Sequence, residues 1–293
     1  MKFHRLLPVL PLLLASLLPA QQGTLNSHQV RNGLLDRLGK LSPAEFQQIG
    51  VRAQAGDAAA QYELAWVYEM GQFVPRDRNA FNSWMLKSAE QGYVPAECEL
   101  GKSYLGPAAY KDLPAGAPVP NYADADRWLR MAAIAGDPDA QFWLGQSYLF
   151  GDLGSVDYHD ALIWLHRAAA QRYSLAESSL GQMYNEGLGV PKDHLLAASW
   201  YNKAADHAID FFEVNEAVVH LGYFYRDTEL SHDYLEAYKW ALIIDSGLDP
   251  PTNEDVRQAA KHLTKAQTSE GQRMAQEWES HHRYPPKEVL QAK

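Results

Sequence analysis

Five tryptophans recur along this chain at nearly one interval: Trp84, Trp128, Trp164, Trp200 and Trp240, spaced 44, 36, 36 and 40 residues apart. Seven residues before each stands Asp77, Asn121, Asp157, Asp193 or Asp233. Asp and Asn favour helix N-caps, because the side-chain oxygen accepts a bond from a backbone N–H that the helix leaves unpaired. The constant offset therefore places each Trp two turns into a capped helix. A second pattern precedes each of these helices: Ala, Leu four residues later, a small residue, and then Tyr. It reads Ala60, Leu64, Ala65, Tyr68; Ala96, Leu100, Gly101, Tyr104; and Ala140, Leu144, Gly145, Tyr148. The last two copies are Ala176, Leu180, Gly181, Tyr184 and Ala217, Leu221, Gly222, Tyr225. Spacings of four put these residues on one helical face. A Gly in mid-helix costs up to ~1 kcal/mol, so its place beside Leu implies that another helix approaches closely. Each copy predicts a first helix, a turn with Gly or Pro, and a second helix. Units of this size cannot bury their apolar faces alone and must stack.

The fourth copy, "AESSLGQMYNEGLGVPKDHLLAASWYNKAA", resembles the Sel-1-like repeat, a relative of the tetratricopeptide repeat. The resemblance covers roughly residues 57–249 and implies an all-α, right-handed α-solenoid of about five helix–turn–helix repeats. Copy 2 departs by inserting "GPAAYKDLPAGAPVP", residues 106–120, between its helices. Copy 5 lacks the turn glycines and follows an extra stretch containing "DFFEVNE". Gly187, Gly189 and Lys192, read alone, suggest a phosphate cradle at a helix N-terminus. The same turn recurs in copy 1 as "YEMGQFVPRD", and no lysine–Ser/Thr pair follows it, so it reads as a linker.

A stack needs shielded ends. Residues 21–56 predict N-terminal capping helices, with Ser42-Pro43 opening one of them. Residues 250–293 predict a C-terminal capping helix and tail, one or two helices with Gly271 as an interruption. Lys2, Arg5 and the apolar run from Leu6 to Ala20 describe a signal peptide over residues 1–20, with cleavage after Ala20. That run is too short for a stable membrane span. A periplasmic or secreted protein is the expectation.

The net charge of −10 argues against nucleic acid and against anionic membrane surfaces. One cysteine, Cys98, gives no disulfide framework. No metal-ligand spacing, nucleophile elbow or paired carboxylates of one helix face occur, so no catalytic residue, metal or cofactor is assigned. Cysteine-rich relatives linked to penicillin binding or β-lactam hydrolysis staple each repeat with a cysteine pair, which this chain lacks.

Function is therefore expected on the concave wall of the stack, which the first helices line. Positions two and six after each copy's Ala point away from the packing face. The candidates for partner binding are Tyr62, Trp66, Lys102, Phe142, Gln146, Gln182 and Tyr223. Aromatic and long polar groups suit a protein or peptide partner. Packing of Tyr62, Trp66 and Phe142 against neighbouring repeats is the competing reading of those three, and a spacer the competing reading of the Pro-rich insertion. The expectation is a non-catalytic exported adaptor. A cell-envelope carbohydrate- or peptidoglycan-binding or -hydrolysing protein is the alternative. Homodimerisation through an uncapped end is compatible with the sequence.

Overall fold

The caps are where the repeat pattern placed them. In a computed structural model, Asp77 accepts from the N–H groups of Asn79 and Ala80, and Asp157 from those of His159 and Asp160. Asn121, Asp193 and Asp233 accept from Asp124, Leu196 and Glu236 in the same way. Each such cap stabilises its helix by about 1 kcal/mol. The structure describes residues 25–105, 121–208, 220, 221, 225, 233–245 and 254–281. The expected signal segment, the insertion 106–120 and Tyr223 lie outside them.

Thirteen helices are described, and no strand occurs among the described residues. The N-terminal pair is α1 (Ser27–Leu38) and α2 (Pro43–Gln54). Copy 1 is α3 (Ala58–Met70) and α4 (Arg78–Ala89), and copy 2 is α5 (Val94–Leu105) and α6 (Tyr122–Ile134). Copy 3 is α7 (Pro138–Phe150) and α8 (Tyr158–Ala169); copy 4 is α9 (Ser174–Glu186) and α10 (His194–His207). The second helix of copy 5 is α11 (Tyr234–Asp245), followed by α12 (Glu254–Ala260) and α13 (Lys265–His281).

Within a copy the turn closes on one recurring bond. The cap residue's N–H donates to the carbonyl of the Tyr that ends the packing pattern: Asp77 to Tyr68, Asn121 to Tyr104, Asp157 to Tyr148 and Asp193 to Tyr184. Gly71, Gly151 and Gly187 end the first helices with φ of 68°, 79° and 76°, the left-handed conformation that glycine adopts without strain. Gly187 and Gly189 are thus the turn of copy 4.

The predicted packing face is the core. Ala60, Ala96, Ala140 and Ala176 are fully buried, and Leu64, Leu100, Leu144 and Leu180 are buried beside them. A Cβ on Gly101 would lie 2.9 Å from the Leu129 backbone nitrogen, and one on Gly145 would lie 2.8 Å from Leu165 Cγ. The glycines are therefore what let the two helices of a copy meet. The five recurring tryptophans sit on the second helices, and each carries a Lys or Arg over its ring, as Lys203 does 3.9 Å above Trp200.

Two features of the ends differ from expectation. The C-terminal segment forms two helices that break at 261–264, and α13 runs unbroken through Gly271. Gly271 is a contact: the Tyr238 ring lies 2.6 Å from where its Cβ would stand. Trp278 on α13 meets Trp240 edge to face at 5.5 Å. At the other end, α2 stacks on α3 as a cap should, but α1 does not pair with α2. It packs on α5, α7 and α3 instead.

Candidate functional site

Among the first helices, α5 meets α7 and α7 meets α9, whereas the described second helices stand further apart. The first helices therefore form the inner, concave wall of the stack. A helix in such an array has its own partner on one side, the preceding copy on another and the next first helix on a third. One narrow strip is left over, and α1 covers part of it.

That crowding corrects the position two after each Ala. Tyr62 and Phe142, expected to grip a partner, are 1% and 7% exposed. Tyr62 packs between Trp66 and Tyr93, with ring centroids 6.3 and 5.4 Å away, and Phe142 against Tyr173 at 5.5 Å. Cys98 and Ser178 hold the same position and are buried too. The position points at the neighbouring copy, as the competing reading had it. Trp66 is half-buried and meets the Phe81 ring edge to face at 5.4 Å.

Position six divides along the wall. Lys102 is 13% exposed and held by acids: its Nζ lies 2.7 Å from Glu99 Oε1 and 3.2 Å from Asp139 Oδ2. Burial lowers the affinity of its amine for a proton, but Asp139, Cys98 and Glu99 outweigh burial and leave its pKa raised. Burial alone would push the Asp139 carboxyl up. Lys102 and the Tyr173 hydroxyl, which donates to Oδ1 at 2.8 Å, instead hold its pKa below the usual range. Further on, Gln146 Nε2 donates to Ser179 Oγ at 2.6 Å and Gln182 Nε2 to Glu186 Oε1 at 3.1 Å. Gln182 is partly exposed, whereas Gln146 Oε1 is buried.

Sequence reasoning missed the position three after each Ala. Glu63, Glu99, Trp143 and Ser179 hold it, and Trp143 is 36% exposed. The first two are 36 residues apart, so an acid repeating at one phase of the period was the signal available. Glu63 and Glu99 face α1: Arg37 Nη2 lies 2.6 Å from Glu63 Oε1 and Arg31 Nη1 lies 3.3 Å from Glu99 Oε1.

Cys98, Asp137 and Asp139 place three potential metal ligands together. The residues around them already answer that charge. Lys102 stands on Asp139, and the N–H and Oγ of Ser27 donate to Asp137 Oδ2 at 2.8 and 2.9 Å. Burial, with Asp139 nearby, raises the Cys98 thiol's pKa well above its ordinary value. The cluster works as an ion-paired joint between α1, copy 2 and copy 3.

Stacked helical hairpins with a concave inner wall define an α-solenoid, a class that presents extended surfaces to other molecules. The Sel1 repeat profile matches residues 58–93, 138–173, 174–208 and 215–243. The chain belongs to the Sel1-repeat family. Copy 2, which carries the insertion, falls between the matched stretches. The fold is similar to that of a protective antigen present in uropathogenic Escherichia coli strains, which displays an SLR fold. That likeness has 28% identity and a TM-score of 0.66, over 81% of this chain and 48% of the other. This chain thus spans about half the antigen's length. It is also similar to a Sel1 repeat protein from Oxalobacter formigenes, at 22% identity and a TM-score of 0.56, over 85% and 93% of the two chains. No curated protein matches it. No helix among the described residues is long and apolar enough to cross a membrane.

Proposed function

We propose that this protein is an exported, non-catalytic adaptor that holds a protein or peptide partner along the inner wall of its solenoid. The observation that carries the reading is the stretch of wall on α7 and α9 beyond α1, where Trp143 is 36% exposed and Gln182 is partly exposed. An exposed aromatic beside amides supplies apolar contact area and hydrogen-bonding capacity for an extended chain. Lys2, Arg5 and the apolar run after them support export, as does likeness to a bacterial antigen.

A pull-down from cell-envelope extract tests the binding. The chain is compared with a Trp143→Ala, Gln146→Ala, Gln182→Ala triple variant, matched by circular dichroism. A protein retained by the first and lost by the folded variant is the expected result. Equal retention would move the site off this wall, and retention of polysaccharide alone would replace the partner class with envelope carbohydrate. Cell fractionation tests export: a chain shortened after Ala20 in the periplasm or medium is expected, and a full-length cytoplasmic chain would overturn that part.

A further inference from the structure

The placement of α1 is unlike that of any other helix in the array. Only residues 39–42 separate it from α2, and a preceding repeat would fold α1 onto α2 as a hairpin. It lies along the inner wall instead, across copies 1 to 3. Its polar contacts fall one level at a time. Arg37 pairs with Glu63 in copy 1, Arg31 pairs with Glu99 in copy 2, and the N-terminal Ser27 binds Asp137 at the head of copy 3. Leu34 and Leu38 are buried in the same apolar cluster as Tyr62, and Val30 and Trp66 pack against that cluster.

The attachment is nevertheless light. Only Ser27, Leu34 and Leu38 of its twelve residues are buried, against eight of thirteen in α7. The arginine side chains stay 23% and 52% exposed, so the ion pairs are worth little each. Elements with few buried contacts open at free energies well below that of global unfolding. Beneath α1 lie Glu63 and Glu99 at one phase of the repeat, the second shared between Arg31 and Lys102, and then Asp137, which accepts from the N–H and hydroxyl of Ser27.

We propose that the acidic wall of copies 1 to 3 is a docking groove for a basic amphipathic helix, which α1 occupies in cis and a partner enters by displacing it. The partner carries basic residues about six apart, like Arg31 and Arg37, with apolar residues between them and a hydroxyl at its N-terminal end. This rests on the inner wall being the binding surface. A tethered helix competes at an effective concentration that reaches the millimolar range for short linkers. The apparent affinity of a free helix falls in proportion to the fraction of molecules in which α1 is lifted.

The probe is a fluorescently labelled synthetic peptide of residues 25–40, titrated into the full chain with anisotropy as readout. Arg31→Glu with Arg37→Glu in the full chain sets like charges against Glu99 and Glu63 and lifts α1. Peptide binding at least tenfold tighter than to the unaltered chain is expected, and adding Glu63→Gln and Glu99→Gln should remove the gain. A folded double variant that binds no tighter overturns the proposal. Hydrogen exchange on the unaltered chain decides the matter if the variant misfolds. The α1 amides should exchange at least tenfold faster than those of α5, and exchange of α1 only together with α5 and α7 overturns the proposal. Either failure would leave the pull-down through Trp143, Gln146 and Gln182 unaffected, so the adaptor reading fails separately.

Discussion

The inner wall lies under α1 over α3, α5 and the head of α7, and is free of it along the rest of α7, although one repeat builds both halves. The covered half presents Glu63 and Glu99 to α1, and at the same phase the other half has the exposed Trp143 and the buried Ser179. Buried packing positions barely differ: Leu100 and Gly101 in one half answer Leu144 and Gly145 in the other. Stacking therefore fixes the face that meets other repeats, and leaves the exposed strip free to carry whatever chemistry its occupant requires. A solenoid of this kind can hold two different surfaces on one scaffold.

The largest break in this comparison is expected from Lys102→Met, which leaves Asp139 buried without its cation and Glu99 with Arg31 alone. Removing one partner of a buried ion pair costs about 3–5 kcal/mol, read as a lower urea midpoint. A cost near zero would mean that the joint between the halves is not ionic. Next comes a pair of substitutions on the shared packing face, Gly101→Ala and Gly145→Ala. Each pushes a Cβ against the second helix of its copy, and overpacking of this kind costs about 1–3 kcal/mol. Similar costs are expected in the two halves, and a large disparity would deny that they pack alike.

Glu97→Gln gives a smaller effect of opposite sign. Gln61, Gln141 and Glu177, at its position in the other copies, bond 2.7–2.9 Å to Gln91, Gln171 and His207. Glu97 is 4% exposed and has no such bond among the described residues. Burial raises its pKa. A carboxyl raised on folding opposes stability above its folded pKa and ceases to do so as the pH falls through it. Glu97→Gln should therefore stabilise by on the order of 1 kcal/mol at pH 7, with the advantage shrinking toward pH 4. Asp139 runs the other way: its lowered pKa contributes stability above about pH 4 that is lost in stronger acid. Calorimetric scans of both chains at pH 7 and pH 4 check the first sign, and scans carried on to about pH 2 check the second. The smallest effect is expected from Gln182→Ala, within about 0.5 kcal/mol of the parent. A larger loss would make the open strip structural.

Much of this was legible in the sequence. The Asx caps, the Ala–Leu–Gly–Tyr face and the turn glycines are local rules repeated at one period, and each recurrence sharpens the others. The wall residues were legible only in part. Periodicity gives the direction of a side chain around its helix but not how many neighbours surround that helix, so Tyr62 and Phe142 read as open when they are enclosed. Position six is less enclosed than position two, with Trp66, Lys102, Gln146 and Gln182 all partly buried. The course of α1 was not legible. Its few apolar residues do not distinguish a cap from a groove occupant, and the match of Arg31 and Arg37 to Glu99 and Glu63 has meaning only once the fold brings them together.

The bond from each cap residue back to its Tyr carbonyl has a bearing on how such a chain changes over time. From Tyr68 to Asp77 and from Tyr148 to Asp157 the bond spans nine residues, and from Tyr104 to Asn121 it spans seventeen. Its length hardly changes, at 3.1, 2.9 and 2.9 Å. Doubling a loop costs only about 0.6 kcal/mol in closure entropy. The turn is thus a socket into which new sequence can be spliced at little cost, without disturbing the register of the copies on either side. Grafted epitopes or reporter peptides belong there, and so does natural variation among proteins of this architecture.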